Sequence, residues 1–180
     1  MRTTIVAVLL GATLALTGCQ GPTTAAPTPV RSTDLTSSDG GFARDAVVGV
    51  VLAPGDEALA AGLEDGLADA GFRPDVRVAP RSGTAAAQAR AVDGLVRGGA
   101  KALLVHAVDA GPLAGAVQTA HDAGVVVVSV GESVPASGTG GDGVSADHRV
   151  PTSGDPETTA RTAVGVVRSL QRGERPDTDG

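Results

Sequence analysis

The sequence predicts an α/β fold: a single doubly wound parallel sheet of four to five strands with helices on both faces. Three observations predict it. Continuous apolar runs rich in β-branched residues, such as VVGVVLA (Val47–Ala53) and VVVVSV (Val125–Val130), have the composition of strands buried on both sides. Between them lie stretches whose apolar residues recur every three or four positions, as on amphipathic helices. Glycine or proline marks nearly every transition.

The elements follow in order. Val47–Ala53 forms the first strand and stops at Pro54 and Gly55. Asp56 is placed to cap a helix whose face carries Leu59, Leu63, Leu67 and Ala70, ended by Gly71. Val76 and Val78 alternate in a short second strand, and Ala85, Ala89, Val92 and Val96 mark a second helix closed by Gly98 and Gly99. Ala102–His106 reads as the third strand. The turn HAVDAGP leads into a third helix with Leu113, Ala116, Val117 and Ala120 on its face, stopped by Gly124. Val125–Val130 is the fourth strand, Gly131 to Gly143 a loop, and Val144–Ala146 a brief fifth strand. Asp155 then caps Pro156 at the first position of a last helix, which carries Ala160, Ala163, Val164, Val167 and Leu170 to Gly173. Short turns between alternating strands and helices favour right-handed crossovers, giving a flavodoxin-like sheet.

Composition narrows the function. The chain has 180 residues, with 14 basic and 20 acidic side chains for a net charge of −6. An acidic body repels phosphates, so no nucleic acid is expected as partner. Hydrophobic residues reach 42%, yet Trp and Tyr are absent and only Phe42 and Phe72 are aromatic, so the core must be Val, Leu and Ala.

The amino terminus carries the most specific signal. Arg2 precedes Ile5–Leu16, a stretch of uncharged residues too short to span about 30 Å of hydrocarbon at about 1.5 Å per residue. It suits the apolar core of an export signal over residues 1–18. The following Leu16-Thr17-Gly18-Cys19 resembles the bacterial lipobox, in which the cysteine is alkylated by diacylglycerol before cleavage on its amino side. Cys19 is the chain's single cysteine, so no intramolecular disulfide competes for it. The resemblance implies an extracytoplasmic, lipid-anchored protein whose partner is membrane lipid through Cys19. Residues 19–44 are rich in Thr, Ser, Pro and Gly without hydrophobic periodicity and are expected to form a disordered tether reaching roughly 25 to 30 Å. The folded body is expected over 45–172, with 173–180 as a polar tail.

In open parallel sheets ligands sit beyond the carboxyl ends of the strands, where strand order reverses. The turns Pro54–Glu57, His106–Pro112 and Gly131–Ser133 fall there and nominate Asp56, Glu57, His106, Asp109, Glu132 and Ser133. Such a site is polar and mostly acidic.

At these residues the chain resembles the amino-terminal lobe of type I periplasmic binding proteins, the sugar-binding group that includes ribose-binding proteins and the lactose-repressor effector domain. GLEDGLADAGF (Gly62–Phe72) is similar to that family's first helix, and KALLVHAVDAGPLAGAVQTAHDAGVVVVSV (Lys101–Val130) to its third strand through its fourth; the likeness runs from Val47 to Arg172. It implies the solute-binding component of a sugar-type ABC transporter, with a small polar solute, a permease or an envelope protein as partners. Asp109 matches an acidic position of the family, and VSADH (Val144–His148) resembles the strand leading to an Asp at the crossover into the second lobe, which makes Asp147 a ligand or hinge residue. Gly55 and Asp56 stand where the family carries sugar-stacking aromatics, and Gly131-Glu132 where it carries an Asp-Arg pair. Stacking and a guanidinium fork are therefore lost. The alternative reading is a single-lobe structural or protein-interaction lipoprotein without a small ligand.

Other chemistry finds little support. Gly138, Gly140 and Gly143 satisfy GxGxxG, but they lie too far from the preceding strand and lead into no helix. His106, His121 and His148 lack metal-ligand spacing, and Ser129 and Ser133 lack a GxSxG context. No cofactor, metal or catalysis is expected.

Overall fold

A computed structural model describes residues 41–82, 85–131, 134 and 145–176. The export signal, Cys19, most of the tether, Glu132, Ser133 and the GxGxxG glycines lie outside the described residues.

Five parallel strands form one sheet: β1 (Val47–Leu52), β2 (Arg73–Val78), β3 (Ala102–Val105), β4 (Val126–Val130) and β5 (His148–Val150), in the order β2-β1-β3-β4-β5. Four α-helices cover it: α1 (Glu57–Asp69), α2 (Ala85–Arg97), α3 (Ala114–Asp122) and α4 (Pro156–Gln171), with a 3-10 turn at Gly111–Leu113 ahead of α3. Period-two alternation divides the core. Val48, Val50, Leu52, Leu104 and Val128 pack with α1 and α4, whereas Val51, Leu103, Val105 and Val127 pack with α2 and α3. Both faces of β1 and β3 are thus covered, which is why these strands read as unbroken apolar runs. The β1–β3 seam is tight: a Cβ on Gly49 would come within 2.6 Å of Leu103 Cδ2 and 2.8 Å of Leu95 Cδ1.

The fifth strand lies later than the sequence suggests. Ala146 makes only an isolated bridge, and the ladder to β4 forms at His148–Val150. The main-chain N–H of Asp147 donates to Val127 O at 2.7 Å and its carboxylate accepts from Val127 N at 2.8 Å. This side-chain contact satisfies the β4 amide that a ladder residue would otherwise meet. Polar His148 and Arg149 hide the strand from an apolar scan, although Val150 is fully buried.

The packed body also begins before residue 45. Phe42 N donates to Gln171 O at 3.2 Å, Gln171 Nε2 donates to Phe42 O at 2.9 Å, and the Phe42 and Phe72 rings lie 6.0 Å apart. At the start of α4 the expected cap is present: Asp155 accepts from Glu157 N at 3.3 Å and Thr158 N at 3.0 Å, with Pro156 in the first turn.

Candidate functional site

In this strand order the chain leaves β1 toward β2 on one side and returns to β3 on the other, so the reversal falls between β1 and β3. The helices that follow β1 and β3 cover opposite faces, and in sheets of this topology the ligand crevice opens beyond the carboxyl ends of two such strands. Asp56 and His106 come from the turns bordering it.

The two side chains meet. His106 Nδ1 lies 2.6 Å from Asp56 Oδ2, with the side chains 29% and 21% exposed. An ionised carboxylate can only accept, so a hydrogen bond to it requires a proton on Nδ1. The same Asp56 oxygen accepts from Ala53 N at 3.0 Å. Asp56 therefore stands at the cap position of α1 without capping it; no side-chain cap bond is made there, because the carboxylate turns back toward β1 and across to His106.

The His106 turn is braced from beneath. Gln88, 1% exposed on α2, donates from Nε2 to His106 O at 2.9 Å and accepts from Val108 N through Oε1 at 2.9 Å. One amide thereby satisfies both polar groups of a turn that leaves its strand. Asp109 lies three residues beyond His106, exposed, and its Oδ1 accepts from Gly111 N at 3.0 Å to shape the entry into the 3-10 turn. Val108 between them is 51% exposed.

The ends of β4 and β5 complete the rim. Gly131 has φ +74°, a conformation that favours glycine, and donates to Val150 O at 2.7 Å. A Cβ there would lie 3.2 Å from Thr152 Cγ2 and 3.9 Å from His106 Cδ2, so the backbone approaches both side chains closely. Fully buried Ser129 holds the turn by donating to Gly131 O at 2.9 Å and accepting from Val134 N at 3.3 Å.

Of the nominated residues, the structure brings Asp56 and His106 into contact and places Asp109 on the same rim. Asp147 lies elsewhere, beside Val127 near the amino-terminal end of the sheet, with its Oδ2 3.3 Å from His121 Nε2 on the last turn of α3. Nearness to the Asp147 carboxylate raises the His121 pKa against the opposing effect of burial. Burial lowers that of His148, with Asp147 opposing and Arg175 adding to the shift. Phe42 and Phe72 lie at that far end too, so neither supplies a stacking surface at the crevice. Gln88 and Thr152 escaped notice in the sequence, and Ser129 was weighed there only as a nucleophile, not as the brace of the Gly131 turn. Gln88 had a detectable signal, a polar residue three after Ala85 and four before Val92 on the apolar face of its helix.

The arrangement is a carboxylate–imidazole pair with a second carboxylate on the same rim, the His106 turn held by buried Gln88 and the turn after β4 by buried Ser129. It offers polar contacts without apolar stacking. Among the described residues, no group of three or more His, Cys, Asp or Glu side chains is placed to hold a metal ion.

A family model described as periplasmic binding protein domain matches residues 48–148. No curated protein matches the chain in sequence. Among solved structures, the solute-binding protein of an ABC transporter from Actinobacillus succinogenes, with bound D-allose, aligns with a TM-score of 0.50 at 15% identity, over 57% of this chain and 37% of that one. The Caulobacter myo-inositol binding protein, bound to myo-inositol, gives 0.48 at 25% identity over 63% and 36%. An ABC transporter solute-binding protein from Clostridium phytofermentans with bound β-D-glucose gives 0.44 at 23% identity over 47% and 26%. The chain thus spans 26–37% of the length of these three proteins.

Proposed function

The chain belongs to the periplasmic binding protein domain family, and from that membership we propose that it is an extracytoplasmic lipoprotein, anchored through Cys19, that captures a small polar solute for an ABC-type permease. The observation that carries the reading is the Asp56–His106 pair at the strand-order reversal, 2.6 Å apart and partly open to solvent. It occupies the position where sheets of this topology bind ligands. Asp109 adds an acceptor on the same rim. Sugars and polyols fit this chemistry through their hydroxyls, and the absence of an aromatic platform favours hydrogen bonding over stacking.

The test is isothermal calorimetry of the full chain against D-glucose, D-allose, myo-inositol and a polyamine. Heat with one of them, reduced at least tenfold in affinity by His106→Phe, supports solute capture. A flat response to all of them overturns it. Mass spectrometry of the membrane-extracted protein tests the anchor independently, since diacylglycerol on Cys19 adds a defined mass.

A second reading is favoured by one observation. Asp56 Oδ2 already accepts from both Ala53 N and His106 Nδ1. A pair satisfied within the protein is also what a structural rim would contain, and a single-lobe lipoprotein that docks on an envelope protein needs no more. Its sign is pull-down of a protein partner with no rise in melting temperature from any solute, because a ligand that binds only the folded state must raise it.

A further inference from the structure

Gly131 lies between two side chains that are far apart in sequence. Its backbone is buried, and the point a Cβ would occupy is 3.2 Å from Thr152 Cγ2, 3.8 Å from Thr152 Oγ1 and 3.9 Å from His106 Cδ2. A side chain at 131 would wedge into that gap; glycine leaves Thr152 and His106 side by side at the end of β4. Cδ2 is the ring carbon bonded to Nε2, the nitrogen that Asp56 leaves free. The free imidazole nitrogen and the Thr152 hydroxyl therefore share one part of the rim.

Thr152 is held there without an internal task for its hydroxyl. Gly131 N donates to Val150 O at 2.7 Å before it, Ser153 N donates to Thr159 Oγ1 at 3.0 Å after it, and the ring of Pro151 restricts the backbone between. Around the ends of β4 and β5 the hydroxyls of Ser129, Ser153, Thr158 and Thr159 each donate to an oxygen of the protein. Thr152 is exposed, and its hydroxyl makes no hydrogen bond among the described residues. Packing against Gly131 uses the methyl group, which valine would supply equally well.

We propose that Thr152 is a further solute-binding residue: its hydroxyl and His106 Nε2 together hold one hydroxyl-bearing edge of a sugar or polyol across the ends of β3 and β5. The proposal rests on the solute-capture reading of the same rim. A solute hydroxyl donates and accepts, so it matches both a threonine hydroxyl, which does the same, and the free nitrogen of an imidazole. Both groups sit on fixed backbone, so little ordering opposes binding. Two contacts on separate strand ends also read the spacing of the solute's hydroxyls, which one contact cannot.

The experiment is calorimetry of the full chain and its Thr152→Val and Thr152→Ser variants with D-glucose, D-allose and myo-inositol. Thr152→Val keeps the shape and removes the hydroxyl; for any solute the parent binds, it is expected to weaken binding about tenfold, the loss of one hydrogen bond. Thr152→Ser, which keeps the hydroxyl and removes the methyl, should stay within about twofold of the parent. An unchanged melting temperature for Thr152→Val accompanies this result, since the hydroxyl has no partner in the fold. Affinity that survives Thr152→Val overturns the proposal and leaves solute capture standing. Equal weakening by both variants overturns it too, because shape and not the hydroxyl is then responsible. Silence of the parent toward all three solutes overturns it as well; only if the polyamine is also silent does capture itself fall with it.

Discussion

Asp56 Oδ2 and His106 Nδ1 stand 2.6 Å apart although 50 residues separate them, and the contact joins the turns after β1 and β3 across the strand-order reversal. It links the two halves of the rim that the crevice would otherwise divide.

A double-mutant cycle measures that link. Asp56→Ala and His106→Ala each remove one partner, and the double variant removes both. With the pair only partly exposed, the coupling is expected at about 1 kcal/mol in urea unfolding. Additivity of the two single effects within about 0.3 kcal/mol would show that the contact holds nothing.

Gln88 supports the same turn from the core. Gln88→Leu keeps the side chain's approximate size and leaves the His106 carbonyl and the Val108 amide without their partner. A loss of about 2 kcal/mol is expected. Faster hydrogen exchange should be confined to residues 106–109 at low denaturant; an unchanged Val108 amide would mean that another group already holds the turn.

How much of this was legible depends on what each element displays. Strands β1, β3 and β4 are buried on both faces, so their runs of Val and Leu announce them without structural knowledge. β5 carries one buried apolar residue, Val150, and its start is organised by the Asp147 carboxylate bonded to Val127 N, an interaction invisible to periodicity. For the site, strand-end logic placed Asp56, His106 and Asp109 on one rim, because parallel topology sends every strand's carboxyl end the same way. It could not foresee that Asp56 would abandon its helix for His106, nor that Asp147 would lie at the other end of the sheet. Both outcomes depend on partners distant in sequence, His106 for one and His121 for the other.

Gly49 tests the seam on which the crevice depends. It sits between Leu103 on β3 and Leu95 on α2, where a Cβ finds those atoms at 2.6 and 2.8 Å. Gly49→Val should cost about 2 kcal/mol by forcing β1 and α2 apart, whatever the gain in strand propensity. Thermal unfolding reads the loss directly, and a variant as stable as the parent would show that the two leucines can turn aside.

The amino-terminal end of the sheet is expected to give a stability profile with a maximum in pH. His121 and His148 flank Asp147, and their pKa values move in opposite directions from 6.5. His121 is raised mainly by Asp147, with Asp122 adding and burial opposing. Its protonated form is favoured by folding, so that contribution is complete below about 6.5 and disappears as pH rises through the folded value. His148 is lowered mainly by burial, with Arg175 adding and Asp147 opposing. Folding favours its neutral form, so that contribution is complete above about 6.5 and disappears as pH falls through the folded value. Melting temperature measured from pH 5 to 9 should therefore peak near the ordinary imidazole value. His121→Gln should flatten the alkaline side and His148→Gln reduce the slope on the acid side that carboxylate protonation leaves. Should His121→Gln retain the full alkaline decline, the 3.3 Å contact with Asp147 carries no linked proton, and the fall belongs to another group.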